Sequence, residues 1–195
     1  MKSNKSLLFS FVILVLLAAL YRLIPNRIPG FAPQIAIALF GGSIISNKKF
    51  AFLLPLASML LSDCIFEILY INQLAPYKGF YDGQLFHYSL YFVITLIGSR
   101  IQFNKLAQIA GGSLAGVLFF YLASNLSVWM GGGLDINNQA YTLTFADMIR
   151  CLTEGIPFLK TSMMATIVFD VVLFGGYNLL QQTRFANLQT KSVKS

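Results

Sequence analysis

Charge is what this chain has least of. Only 11% of its 195 residues are Asp, Glu, Lys or Arg, against about a quarter in an ordinary soluble domain. It holds a single His and two distant cysteines, Cys64 and Cys151, which form neither a CxxC pair nor a disulfide framework and leave a conventional zinc site without ligands. Both thiols read as small apolar side chains. No Walker A loop, GxGxxG fingerprint, HExxH or GxSxG motif occurs, so nucleotide hydrolysis, dinucleotide binding and the common hydrolase chemistries lack their residues. The acids have no nucleophile or metal to complete an acid–base set. The chain therefore reads as a non-enzyme, with no catalytic residue, metal or cofactor, and any active pumping would need another subunit or an ion gradient.

What is abundant is apolar: 56% of the residues are hydrophobic and 18 are Phe. The apolar runs far exceed the roughly 10-residue alternating strands of an outer-membrane barrel. The fold class they predict is all-α, a polytopic membrane protein forming one integral domain over 1–195. Six spans are expected, at about 7–24, 31–45, 50–71, 85–99, 106–124 and 156–180, with an amphipathic or re-entrant approach at 145–155. The first has a basic start like a signal peptide, but no small-x-small cleavage site precedes Arg22, so it reads as an uncleaved helix. The second is short of the roughly 20 residues of a full crossing.

The net charge of +7 is spread through short segments between apolar runs, which is a topology signal rather than a nucleic-acid surface. With the N-terminus inside, the inner segments hold Lys2, Lys5, Lys48, Lys49, Arg100, Lys105, Arg184, Lys191 and Lys194, nine of the fourteen basic residues and none of the seven acids. The positive-inside rule thus predicts both termini cytoplasmic in the inner membrane, with the lipid bilayer as the constant partner and no role for nucleic acid.

Within "MLLSDCIFEILY" (59–70), Asp63 and Glu67 fall on one helical face inside an apolar run, and intramembrane carboxylates usually face a bundle interior or a watery cavity. Counting about 1.5 Å per residue places Asp63 roughly 20 Å into the span and Glu67 near its outer end. His87, Trp129, Arg150, Glu154 and Lys160 share that outer level. With Asn125, these residues are the expected lining of an outward cavity, Asp63 forming its floor. Each also has a plainer reading: Trp129 as an interfacial anchor, His87 as a structural residue, Glu67 and Lys160 as an ion pair, Asp63 as a helix-packing bond. Asp170 lies in the inner half, where a bond to Arg100 or a partner protein are the alternatives. Small residues at Ala32/Ala36, Gly111/Ala115 and Gly112/Gly116 have the spacing that lets helices approach closely, within the chain or in docking another subunit.

The stretches "FAPQIAIALFGG" (31–42), "LPLASMLLSD" (54–63), "NLSVW" (125–129), "GIPFLKT" (155–161) and "DVVLFGG" (170–176) resemble a bacterial family of six-helix membrane proteins of unknown function, over about residues 25–180. That family is similar to the substrate-binding S components of energy-coupling factor (ECF) transporters. The resemblance implies six helices with cytoplasmic termini, capture of a vitamin-like micronutrient in an outward cavity, and docking of small residues, here Ala32 and Ala36, on a membrane coupling subunit that carries ATPases. The function expected is therefore a substrate-binding membrane subunit for micronutrient uptake. A scaffold subunit of an envelope complex, like the rod-shape membrane protein MreD, and a stand-alone ion-coupled transporter are the alternatives.

Overall fold

The shortest helix is the one at the centre. In the computed structural model, which describes residues 2–24 and 28–182, with side chains from Val12 onward, the chain forms six α-helices: α1 (Lys2–Arg22), α2 (Gln34–Ile44), α3 (Lys48–Ile71), α4 (Gln84–Gly98), α5 (Leu106–Met130) and α6 (Phe145–Asp170). A π-helical turn, Val171–Gly175, follows α6, and helix continues to Gln182. Helix α2 is buried from Gln34 through Gly42 and packs against α3, α4, α5 and α6. Its sequence, QIAIALFGGSI, carries no charge and offers apolar or small side chains on every side. A helix of that kind is stable only when surrounded.

Two glycines let α2 and α4 touch backbone to backbone. A methyl group on Gly42 would collide with the Thr95 carbonyl and lie 2.8 Å from Ser99 N, and one on Gly98 would sit 2.7 Å from Leu39 Cα. Around this crossing, Ile35, Leu39, Ile94, Val117 and Phe174 form the centre of the core. The outer faces are apolar too. Leu53, Leu60 and Ile68 on α3, Leu114, Leu118 and Leu122 on α5, and Met164, Ile167 and Val168 on α6 are all exposed. Such stripes on the outside of a bundle with a filled core suit lipid, not water.

Three helices are long and apolar enough to cross a membrane: 48–71, 106–130 and 145–182; 12–22, 34–44 and 84–98 are shorter apolar helices among the described residues. Several expected boundaries change. The stretch 145–155 forms the first turns of α6, continuous with the expected sixth span and started by Thr144, whose hydroxyl accepts from Asp147 N at 3.2 Å. Helix α5 runs on to Met130, so Asn125 and Trp129 are helical and the following connection spans only 131–144. The basic residues Arg184, Lys191 and Lys194, and the side chains of Lys2 and Lys5, lie outside what is described.

Candidate functional site

The polar centre of the molecule is an ion pair between the end of α1 and the middle of α3. Arg22 Nη1 lies 2.8 Å from Asp63 Oδ1 and also donates to the Met59 carbonyl at 3.1 Å and to the Ser62 hydroxyl. Asp63 is 1% exposed, and its other oxygen accepts from Gln84 Nε2 and from the Tyr88 hydroxyl, both at 2.6 Å. A buried charge persists only when paired and hydrogen-bonded in this way. The two bonds to Oδ2 occupy that oxygen, while Oδ1 is held by Arg22.

The α3–α4 connection is strapped over this pair. Glu67 Oε2 accepts from the backbone amides of Gly79 at 2.9 Å and Phe80 at 3.2 Å, so Glu67 does not form the expected pair with Lys160. Gly79 rests directly on α3: a methyl group there would collide with the Asp63 carbonyl and come within 2.5 Å of Glu67 N. Burial, then the Asp63 charge, pushes the Tyr81 phenol above its ordinary range.

Beside the ion pair lies a cavity of about 200 Å³ lined by Arg22, Gln34, Ile35, Met59, Tyr81, His87, Tyr91, Phe120 and Ser162, with Gly30 and Ala32 from the α1–α2 connection. Every one of the six helices contributes at least one of these residues. One wall is aromatic: ring centroids lie 5.9 Å apart for Tyr81–His87, 6.3 Å for His87–Phe120 and 5.2 Å for Tyr91–Phe120. Gly30, in a left-handed turn at φ 78°, is held to α6 by the Ser162 hydroxyl, which donates to its carbonyl at 3.2 Å. A second cavity, of about 360 Å³, lies under the strap and is lined by Asp63, Phe66, Tyr77, Lys78 and Gly79; it shares Arg22 and Tyr81 with the first.

The expected ring of residues divides among separate places. His87 lines the first cavity and Asp63 the second. Asn125 packs on Gly155 at the α5–α6 contact and donates to the Tyr121 carbonyl at 2.7 Å. Trp129, Arg150 and Glu154 hold the 131–144 connection. Trp129 Nε1 donates to the Thr142 carbonyl at 2.9 Å. Arg150 lies 3.3 Å from Asp147 and 3.5 Å from Asp135, the latter an ion pair without hydrogen-bond geometry. Glu154 accepts from the Tyr141 hydroxyl at 2.6 Å. None of these four lines either cavity, because the connection folds back on the top of α6 instead of over the bundle. Lys160 is exposed and forms no ion pair among the described residues.

Nor do the expected docking residues lie on an outer face. Ala36 is fully buried, and Ala32 lines the first cavity. Asp170, 6% exposed, accepts from the Ser113 hydroxyl rather than from Arg100. Besides Gly30, Ile35 and Met59, the cavity residues that were missed are Arg22, Gln34, Tyr81, Tyr91, Phe120 and Ser162. Arg22 had a signal, an arginine inside the last turn of an apolar run, which calls for a buried acid. Gln34 had a fainter one, as the single amide in an otherwise apolar helix.

The chain belongs to the family of unknown function DUF6580, which it matches over residues 2–189. No curated protein and no solved structure matches it.

Proposed function

We propose that this member of the DUF6580 family is a substrate-binding membrane subunit, spanning the membrane six times with both termini inside, that captures a small, partly polar nutrient. The observation that carries this reading is the cavity to which all six helices contribute, with an aromatic wall and a few polar groups. That mixture is the usual make-up of a small-molecule site. An apolar cavity of about 150 Å³ takes up benzene, so about 200 Å³ here suits a monocyclic compound.

With the N-terminus inside, Arg22 and the cavity sit toward the outer face, where a nutrient arrives. The Arg22–Asp63 pair fixes one side of the site, and the Ser162–Gly30 bond holds the α1–α2 connection across it. Lacking nucleotide-binding motifs, the chain would depend on a coupling subunit with ATPases, as the S components of ECF transporters do.

The test is mass spectrometry of small molecules released from the purified protein, compared with an Ala32→Phe variant. Ala32 lines the cavity and its replacement fills it. A compound retained by the natural chain and absent from the variant is the expected result. Equal recovery from both, or no compound with no binding of candidate nutrients, would sink the proposal and favour a scaffold role.

A further inference from the structure

Gln34 is the residue in the cavity that the fold leaves unfinished. It is 2% exposed, it lines the cavity, and neither its Nε2 nor its Oε1 has a hydrogen-bond partner. Among the described residues no other buried side chain leaves two separate polar atoms unpartnered. Leaving both ends of an amide dry is costly, and native proteins rarely do it without a ligand or water to complete the bonds. Resting on the substrate-binding reading above, we infer that the compound held here is a neutral planar ring whose edge presents a hydrogen-bond donor beside an acceptor, paired with the Gln34 amide. Lactams, imides and aryl carboxamides are the chemical class.

Three features of the site narrow the class. The donor and the acceptor of Gln34 belong to one planar group, so the ligand's complementary atoms must be adjacent and coplanar with each other. The wall formed by Tyr81, His87, Tyr91 and Phe120 offers ring faces and edges to an aromatic or conjugated ring. Neutrality follows from the charge inventory: Arg22 is the one formally charged residue lining the cavity, with His87 taken as neutral, and Asp63 already neutralises it at 2.8 Å. A ligand carboxylate would have to compete with Asp63, and a ligand cation would meet Arg22 with no acid in the lining, both costly in a low-dielectric site.

The plain alternative is that ordered water fills the cavity and satisfies Gln34. The two differ in selectivity, which three probes of nearly equal shape read directly: benzamide, acetophenone and benzoate. Acetophenone keeps the carbonyl and lacks the donor, and benzoate carries a charge. Binding is measured on the full chain in nanodiscs by ligand-observed NMR. Benzamide should bind at least tenfold more tightly than either of the others. In Gln34→Met, which removes an unpartnered buried amide and so should fold, benzamide should lose at least tenfold and its advantage over acetophenone should fall to within twofold.

Equal binding of benzamide and acetophenone to the natural chain overturns the inference, whether or not the variant folds, while leaving the substrate-binding reading standing. So does a copurified compound that lacks an adjacent donor and acceptor. If no probe binds and nothing copurifies, the substrate-binding reading itself has failed, and this inference fails with it.

Discussion

Arg22 and Asp63 meet at 2.8 Å across the α1–α3 contact, with the carboxylate 2% and the guanidinium side chain 15% exposed. Two charges drawn from distant points of the chain hold each other in an apolar bundle, and the rest of the polar centre is arranged around them.

Removing one partner of such a pair leaves the other uncompensated, at a cost of about 3–5 kcal/mol. Asp63→Asn should therefore destabilise the protein by about 3 kcal/mol in denaturant titrations, allowing for the partial exposure of Arg22. The double variant Arg22→Gln/Asp63→Asn should recover part of that loss, because no orphan charge remains. Additive losses in the double variant would mean that the two residues do not act as a pair.

Gly79 and Gly111 make a matched comparison. A methyl group on Gly79 meets α3 backbone, which cannot move aside, whereas one on Gly111 meets nothing within 4 Å. Gly79→Ala is expected to lower stability by about 2 kcal/mol or more and to detach the strap held by Glu67. Gly111→Ala should be neutral or slightly stabilising, since it replaces glycine in a helix. Hydrogen exchange of the Gly79 and Phe80 amides would show the detachment.

The 131–144 connection offers a titration. Tyr141 is 6% exposed, and burial, then its hydrogen bond to Glu154, holds the phenol above the ordinary value of 10.0. The folded state favours the protonated phenol, so its contribution is complete below the unfolded value and fades as pH rises through the higher folded one. Absorbance of tyrosinate should show Tyr141 among the residues that ionise later than the exposed tyrosines. Tyr141→Phe should lower the amplitude of that late step by one tyrosine and increase proteolysis within 131–144.

Lys160 and Arg150 were both expected at the cavity and should behave differently from each other. Lys160→Ala should change stability by less than about 0.5 kcal/mol, as surface substitutions commonly do. Arg150→Ala strands Asp135, whose side chain is 0% exposed, and should cost about 1–2 kcal/mol, the exposed partner moderating the effect. Unfolding midpoints of the two variants, measured side by side, check this. A large loss from Lys160→Ala would contradict the placement of that residue.

Much of the fold was legible because a lipid environment demands simple things of a sequence. Long runs such as 48–71 and 106–130 announce membrane helices by length and apolarity alone, and Asp63 stands out in its run because a carboxylate there needs a partner. What depth counting did not supply was azimuth. Residues at one level along their helices still point in different directions, so Glu67, Glu154 and Lys160 were grouped by height though their side chains serve the strap, the 131–144 connection and the exposed surface. The partner of Asp63 was hidden for another reason, since Arg22 lies 41 positions away and nothing local links the two.

The sequence by itself determined that this is a helical, lipid-facing chain, because apolar length and the scarcity of charge leave no other stable state. It also marked Asp63 as a residue in need of a partner. Only the tertiary structure decided that the partner is Arg22, that the uncharged α2 is the central helix, and that Gln34 and none of the acids lines the first cavity. Those outcomes depend on which helical faces meet, and that is settled by close contacts such as Gly42 and Gly98, where the absence of a side chain lets two backbones touch.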